Sequence, residues 1–532
     1  MKQGVVLKST ISGREYPIEM LEEFSPDGES LEVVQKNSTL PVLRRGRTLY
    51  ERFAEFLPFE TDLHTYSLGE GNTPLIEADD KLKVYTGISN LLLKNETQNP
   101  TWSFKDRGSL TCIAMAAEMG ERVTATISTG NMGNSIAAYG AKSGIKVVVF
   151  VPHYTPQEKV KAIGIHGAKV IKVTAPDYSQ MKKKVLSLAG KLNLRIVSGN
   201  GPIRVEGYKL TAFELFEQMG GEFSSVPDYI AVPTSACGHI RGIFKGYREM
   251  MDAGIIGKLP KMIIVQAANN SPIVSAIAQG LKEIVPFFGF HTIAEAITSG
   301  NPQGGDEIVD KSYRYGWLAE SVTEEEIIES QRRVAESGYF VEPASATSLC
   351  AVKKLRDRGL IEKDANVIIV LTGSGLKDTD AFRYHITDET DIGIEDLNNL
   401  AHLGELIGYD FPDETTTKER ICNLYKLGRV TGNNRELIKE MVKSFIEIFP
   451  GYFNEACEAY NREDLISLRA SAHKLKSGIS LVVHSKYSSE IIEIEELSKG
   501  GIVTSELIVK IESLNDWFPK LVEELKIELE RI

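Results

Sequence analysis

Cysteine is scarce and shows no pairing pattern: Cys112, Cys237, Cys350, Cys422 and Cys457 are scattered through 532 residues, odd in number and without a Cys-x-x-Cys. A disulfide framework is not expected, and a reduced, cytoplasmic setting is. Long apolar runs are missing too. The stretch from Val147 to Val151 is far too short to span a bilayer and reads as a buried strand. The opening MKQGVVLKSTISGREYP lacks the apolar core and the cleavage site of a secretory signal. Positive charge is in deficit, and a net charge of −12 argues against nucleic acid or an anionic membrane as the main partner. No internal repeat or low-complexity segment stands out.

What remains is an ordinary globular composition, 42% hydrophobic and 25% charged, with the length of several domains. Between residues 61 and 385, strand-like apolar runs alternate with amphipathic helical stretches; Val147–Val151, Val170–Val173, Ile230–Pro233, Met262–Gln266 and Val367–Leu371 are the clearest strands. Such alternation predicts an α/β fold, parallel sheets with helices on both faces. Residues 1–60 read as a small β-rich segment with a hairpin around Ser12-Gly13. The acidic, linker-like stretch HITDETDIGIEDLNN, from His385 to Asn399, leads into a linker over 386–432, and 433–532 are helical throughout.

Four short motifs lie in order along the α/β region. They are Gly69-Glu70-Gly71-Asn72-Thr73-Pro74-Leu75, NPTWSFKDRG from Asn99 to Gly108, Ser128-Thr129-Gly130-Asn131-Met132-Gly133-Asn134, and LTGSGLKD from Leu371 to Asp378. Lys105 falls just inside a predicted helix start, with Ser103 as its candidate N-cap. Desolvation and a cationic neighbour lower a lysine's pKa and make its amine nucleophilic enough to form a Schiff base. For an isolated Ser-Phe-Lys the plainer reading is a surface lysine; the other three motifs reverse those odds. Asp106 and Arg107 read as charge pairing at the helix terminus.

Together the motifs resemble the pyridoxal-phosphate (PLP) enzymes of the tryptophan-synthase-β fold type, and within them the threonine synthase branch, over about residues 60–385. The resemblance implies two α/β domains with the cofactor in the cleft between them. It implies Lys105 as the covalent PLP site and later as the base that moves protons between substrate carbons. It further implies Asn131 bonded to the 3′-oxygen, Thr372 facing the pyridine nitrogen, and Ser128, Thr129 and Gly130 around the substrate carboxylate. Ser235, Ala236, Cys237, Gly238 and His239 stand between a strand and a helix, where backbone amides suit a phosphate. Ser128–Asn131 is equally a plain helix N-cap, and Thr372 a turn cap, if read alone.

Several positions depart from the family. Relatives often carry a cysteine ribbon at the N-terminus; this chain keeps Leu7, Gly13 and Tyr16 but has Ser9 and Ser12 at the thiolate positions, so no metal is expected there. In the phosphate turn only Gly238 survives from the Gly-Asn-Ala-Gly-Asn pattern, with Ser235 and His239 as replacement donors. Of the donors to substrate phosphate, Arg204 remains, whereas Met132 and Ser198-Gly199 replace the others. Each lost charge-assisted bond is worth roughly 1.5–3 kcal/mol. Three functions stay open: a lyase taking O-phosphohomoserine to threonine and phosphate, a β-replacement enzyme using O-phosphoserine or another activated amino acid, and a non-catalytic PLP-fold sensor or scaffold. A homodimer is left open as well.

In the tail, Arg469-Ala470-Ser471-Ala472-His473-Lys474-Leu475-Lys476-Ser477-Gly478 resembles the phosphorylation site of histidine phosphotransfer (HPt) domains, four-helix bundles that relay phosphoryl groups. Leu465, Leu468, Ala472, Leu475, Ile479 and Val482 draw one apolar stripe, and His473 lies about 100° off it, toward solvent. A helix is expected to stop at Phe449-Pro450-Gly451, and Gly478 to leave room for an approaching partner. That partner is expected to be a response-regulator receiver domain acting in trans.

Overall fold

The computed structural model describes residues 1–20, 23–36, 41–175, 178–192, 194–289, 291–394, 406–407, 421–432 and 434–532. The chain forms two compact units, Met1–Thr387 and Asp388–Ile532.

In the first unit, hydrophobic strands build two open sheets. The larger runs in the order β12 (Leu318–Val322), β11 (Lys261–Ala267), β10 (Tyr229–Pro233), β13 (Asn366–Leu371), β5 (Asn90–Asn95) and β4 (Leu75–Glu77). All of its pairings are parallel except that β4 joins β5 antiparallel at one edge. The smaller is β8 (Lys169–Val173), β7 (Lys146–Pro152), β6 (Val123–Ile127) and β9 (Ile196–Val197), parallel throughout. The central strands are apolar along their length because helices cover both faces: Ile230, Ala231 and Val232, Met262 to Val265, and Val367 to Leu371 are all buried. Every strand expected from the sequence is present, each longer by one or two residues.

The N-terminal segment is a three-stranded antiparallel sheet. β1 (Val5–Ser9) and β2 (Glu15–Pro17) form the expected hairpin, with Gly13 at φ 73°, and β3 (Leu31–Gln35) pairs with β1 on its other side. Ser9 and Ser12 do not stand idle there. Both hydroxyls donate to the Glu29 carboxylate, which ties the hairpin tip to the approach of β3.

The second unit is a bundle of four helices, Arg435–Asn461, Leu465–Val482, Ser485–Leu497 and Ser505–Arg531, each packed on the next and the first on the fourth. The apolar stripe of the second helix is buried as its spacing predicts. Two expectations are corrected. Phe449-Pro450-Gly451 does not end a helix; the first helix runs on through Pro450. Gly478 does not hold space for a partner, because Phe449 fills it: a Cβ there would lie 2.0 Å from the Phe449 ring. The bundle also begins before residue 433. Ile421 and Leu427 join its core, and the N–H groups of Ile421 and Cys422 each donate to Glu524 at 2.8 Å. Most of the predicted linker, residues 395–405 and 408–420, lies outside the described residues.

Candidate active site

Parallel strands deliver their following loops to one side of the sheet, and in open α/β folds ligands bind there. In the first unit the loops after β5, β6, β10 and β13 all reach a cleft of about 2740 Å³, lined among others by Lys105, Asn131, Ser235, His239, Glu342 and Thr372.

The loop after β5 carries Lys105, first residue of the helix Lys105–Glu118. Its N-cap is Phe104, without a side-chain bond, so Ser103 does not cap the helix; its hydroxyl is buried and has no partner. The turn is fixed differently. Trp102 adopts φ 64°, a left-handed conformation unusual for a bulky residue. Phe104 N–H donates to Thr372 O at 3.0 Å, and Ser374 N–H to Trp102 O at 3.0 Å. The lysine loop is thereby stitched to the loop after β13. Enclosure in the cleft, with Arg204 nearby, lowers the Lys105 pKa to about 7, Glu342 opposing the change.

Asp106 and Arg107 are not a surface charge pair at the helix end; both are buried. Asp106 accepts from Thr101 N–H at 2.6 Å, from Thr101 Oγ1 at 2.5 Å and from Ser135 Oγ at 2.6 Å. Arg107 makes two bonds to Glu96, both 2.7 Å, and two to Glu214 at 3.0 and 3.1 Å. Lys94 completes a balanced set of two cations and two carboxylates. Burial raises and the cations lower the pKa of Glu96 and Glu214, and the cations prevail. The network anchors the helix that carries Lys105.

The loop after β6 enters the helix Asn131–Ser143, whose N-cap Gly130 offers no side chain. Ser128 Oγ accepts from Gly130 N–H at 3.3 Å and Gly133 N–H at 3.2 Å, shaping the turn. Thr129 and Gly130 line the cleft beside it. The loop after β10 enters the helix Gly238–Asp252 through Cys237, at φ 71° and without a side-chain cap. Gly238 is obligatory, since a Cβ would lie 2.4 Å from Gly199 O. The first turn of a helix leaves backbone N–H groups without intrahelical acceptors, so both helix starts suit anions. Ser235 Oγ accepts from Ser299 N–H at 3.1 Å, and Ala236 lines the cleft. The His239 side chain turns inward: it stacks on Phe104 with centroids 3.8 Å apart, both ring nitrogens are buried without partners, and burial lowers its pKa to about 3. It serves as a shelf under the residue before Lys105.

Thr372 Oγ1 lies 2.7 Å from Ser345 Oγ and 3.4 Å from Glu342 Oε1. Asn131 Nδ2 donates to Glu342 Oε2 at 2.9 Å. Glu342, which no motif indicated, therefore joins both candidate cofactor residues. The sequence signal available was weak, an acidic residue before Pro343 at a helix start. Arg204 stands apart. It is buried and absent from the cleft lining, with Nη1 3.5 Å from Lys105 O and 3.4 Å from Ser109 Oγ, the Cys112 thiol beside it, and Nε and Nη2 without acceptors.

Residues 66–373 match the family described as pyridoxal-phosphate dependent enzyme, and the chain belongs to it. The cofactor is PLP, and the cleft suits it: a depressed lysine amine, an uncapped helix start, and hydroxyl and amide groups converge there. Within that class the chain is a member of the threonine synthase family of carbon–oxygen lyases. It is 41% identical over 341 residues to threonine synthase of Methanocaldococcus jannaschii, covering 64% of this chain and 83% of that one. Against threonine synthase of Methanosarcina acetivorans the identity is 39% over 329 residues, covering 62% and 80%. The fold is shared with threonine deaminase isoform 2 of Solanum lycopersicum, at TM-score 0.50 and 18% identity over 66% of this chain and 97% of that one. The L-serine ammonia-lyase of Rhizomucor miehei matches at TM-score 0.50 and 20% identity over 64% and 98%. The family match ends at residue 373, before the helical bundle.

Proposed function

We propose that the chain acts in the cytoplasm as a threonine synthase, converting O-phosphohomoserine and water to threonine and inorganic phosphate. The observation that carries this reading is the convergence of Lys105, Asn131 and Thr372 on one cleft in a chain of this family. When bound, PLP supplies an electron sink for charge developing on substrate carbons. Lys105 would hold it and, released, move protons between those carbons as a base tuned near neutrality. The uncapped start at Gly238, with Ser235, Ala236, Cys237 and His239 N–H groups, would take the cofactor phosphate, and Ser128 to Gly130 the substrate carboxylate. Thr372, a hydroxyl rather than a carboxylate, would leave the ring nitrogen unprotonated. Arg204 is the candidate for substrate phosphate, a buried cation with unpaired nitrogens; reaching the cleft requires its side chain to move.

The test is phosphate release by purified holoenzyme from O-phosphohomoserine and from O-phosphoserine. Release from the first, lost in Lys105→Ala together with the borohydride-fixed adduct on the Lys105 peptide, is expected. Preference for O-phosphoserine would instead identify a β-replacement enzyme, and turnover of neither a sensor or scaffold.

A second reading concerns the bundle. We infer that His473 accepts a phosphoryl group from a receiver domain in trans. His473 is exposed on the second helix, and its Nδ1 lies 2.8 Å from Glu495 Oε1. A carboxylate only accepts, so Nδ1 carries the hydrogen and the Nε2 lone pair faces outward as the nucleophile. Lys476 bonds the same carboxylate at 2.8 Å, so a cation shares the group that orients the imidazole. His473→Gln should abolish labelling by phosphorylated receivers while PLP-dependent turnover stays unchanged. Labelling that persists in this variant, or never occurs in wild type, would reduce the bundle to a structural module.

A further inference from the structure

Glu342 occupies the N-cap position of the helix Pro343–Asp357 but makes no side-chain cap bond. Its carboxylate is turned instead toward the cleft wall and is almost wholly buried. The loop after β13 is shaped around it. Gly373 would, with a Cβ, meet Glu342 Oε1 at 2.7 Å, and Glu342 N–H donates to Gly373 O at 3.1 Å. From this position one oxygen takes Asn131 Nδ2 at 2.9 Å, from the helix that follows β6 of the smaller sheet, and the other faces Thr372 Oγ1 at 3.4 Å, just after β13 of the larger sheet.

We propose that Glu342 is a cofactor-positioning residue: a carboxyl group that orients the Asn131 amide and the Thr372 hydroxyl toward PLP and, when ionised, adds a negative charge beside it. The chemistry of the donors supports this. A carboxylate fixes Asn131 by its nitrogen, so the second N–H of that amide is left to meet the 3′-oxygen. Thr372 has one hydrogen and two neighbours, Ser345 and Glu342, and bound PLP would add the ring nitrogen as a third; the carboxylate competes for that hydrogen in proportion to its charge. The charged groups facing Glu342 are Lys105, Lys377 and Asp378. The two lysines and the donors from Asn131 and Thr372 hold its pKa down, against burial, which raises it overall.

This inference rests on PLP binding at Lys105, and the experiment separates the two. Wild-type holoenzyme is first titrated by its visible cofactor band and fixed with borohydride; without a reducible adduct on Lys105 the parent reading fails. With that adduct present, Glu342→Ala and Glu342→Gln are compared with wild type. The alanine variant is expected to bind PLP roughly tenfold to a hundredfold more weakly, the cost of leaving one buried donor without its acceptor. The glutamine variant, which preserves shape without charge, is expected to recover most of that affinity while the pH midpoint of its visible band falls. Lowering that midpoint is what loss of a neighbouring anion does to the protonated Lys105 nitrogen of the adduct, the ring nitrogen being neutral. If both variants match wild type in affinity and in band midpoint, Glu342 has no such role. If the glutamine variant matches the alanine variant in affinity with an unmoved midpoint, the carboxylate acts only structurally and the inference falls.

Discussion

Lys105 is drawn in two directions, down in pKa by burial and by the Arg204 cation, up by Glu342. The lowering prevails, from the usual 10.5 to about 7, and the consequence can be measured. Only the neutral amine attacks the PLP carbonyl. Capture of PLP by cofactor-free protein should therefore rise with a midpoint near pH 7 and level off above it. Removing the cation by Arg204→Met should shift that midpoint upward, and stopped-flow absorbance against pH reads both. A midpoint near 10 in wild type would show that the amine is not perturbed. The linked stability has a definite sign. Between about pH 7 and 10.5 the unfolded chain binds the lysine proton and the folded one does not, so this contribution to stability grows as pH rises through that window. At the same scale, the Lys105 motif was readable because the residue types and their order are specific. The inward turn of His239 and the burial of Arg204 were not, since a polar residue in a loop sequence gives no sign of which way it points. Glu342 was missed for a related reason, because a lone carboxylate before a proline looks like any helix start.

At the level of elements, the strands were the most legible part. Runs such as Val367 to Leu371 are long enough in β-branched residues to leave no competing reading. Helix ends were less so. Pro450 marks a stop by local rules, because it removes a donor and crowds the preceding turn. The helix continues there because packing on both sides outweighs that local cost: before it Phe445 and Phe449 stack at 4.1 Å and Phe449 fills the notch over Gly478, and after it Phe453 stacks on Phe518 at 4.5 Å. That notch supplies a prediction. Gly478→Val must displace an aromatic ring, and overpacking of this kind costs typically 1–3 kcal/mol. The denaturant midpoint of the bundle transition should fall accordingly, while Ser477→Val, at an exposed position, should leave it nearly unchanged. Equal effects of the two substitutions would mean that the notch is not tightly filled.

Across the whole molecule, the division into an α/β enzyme unit and a helical unit was readable from the change in hydrophobic period after residue 385, and the two units have separate cores. The boundary itself was not. A short segment holding Ile421 and Leu427 has too few apolar positions to reveal a period, yet it belongs to the bundle. The N-terminal ribbon carries a last implication. A ribbon closed by thiolates would answer to metal supply, chelators and oxidants. Here two serine hydroxyls close on Glu29, whose pKa they lower. A carboxylate with a lowered pKa holds its partners above its titration and releases them only as acid reaches it. The tip of this hairpin thus holds no thiol to be oxidised, and acid strong enough to protonate Glu29 is a signal that weakens its closure.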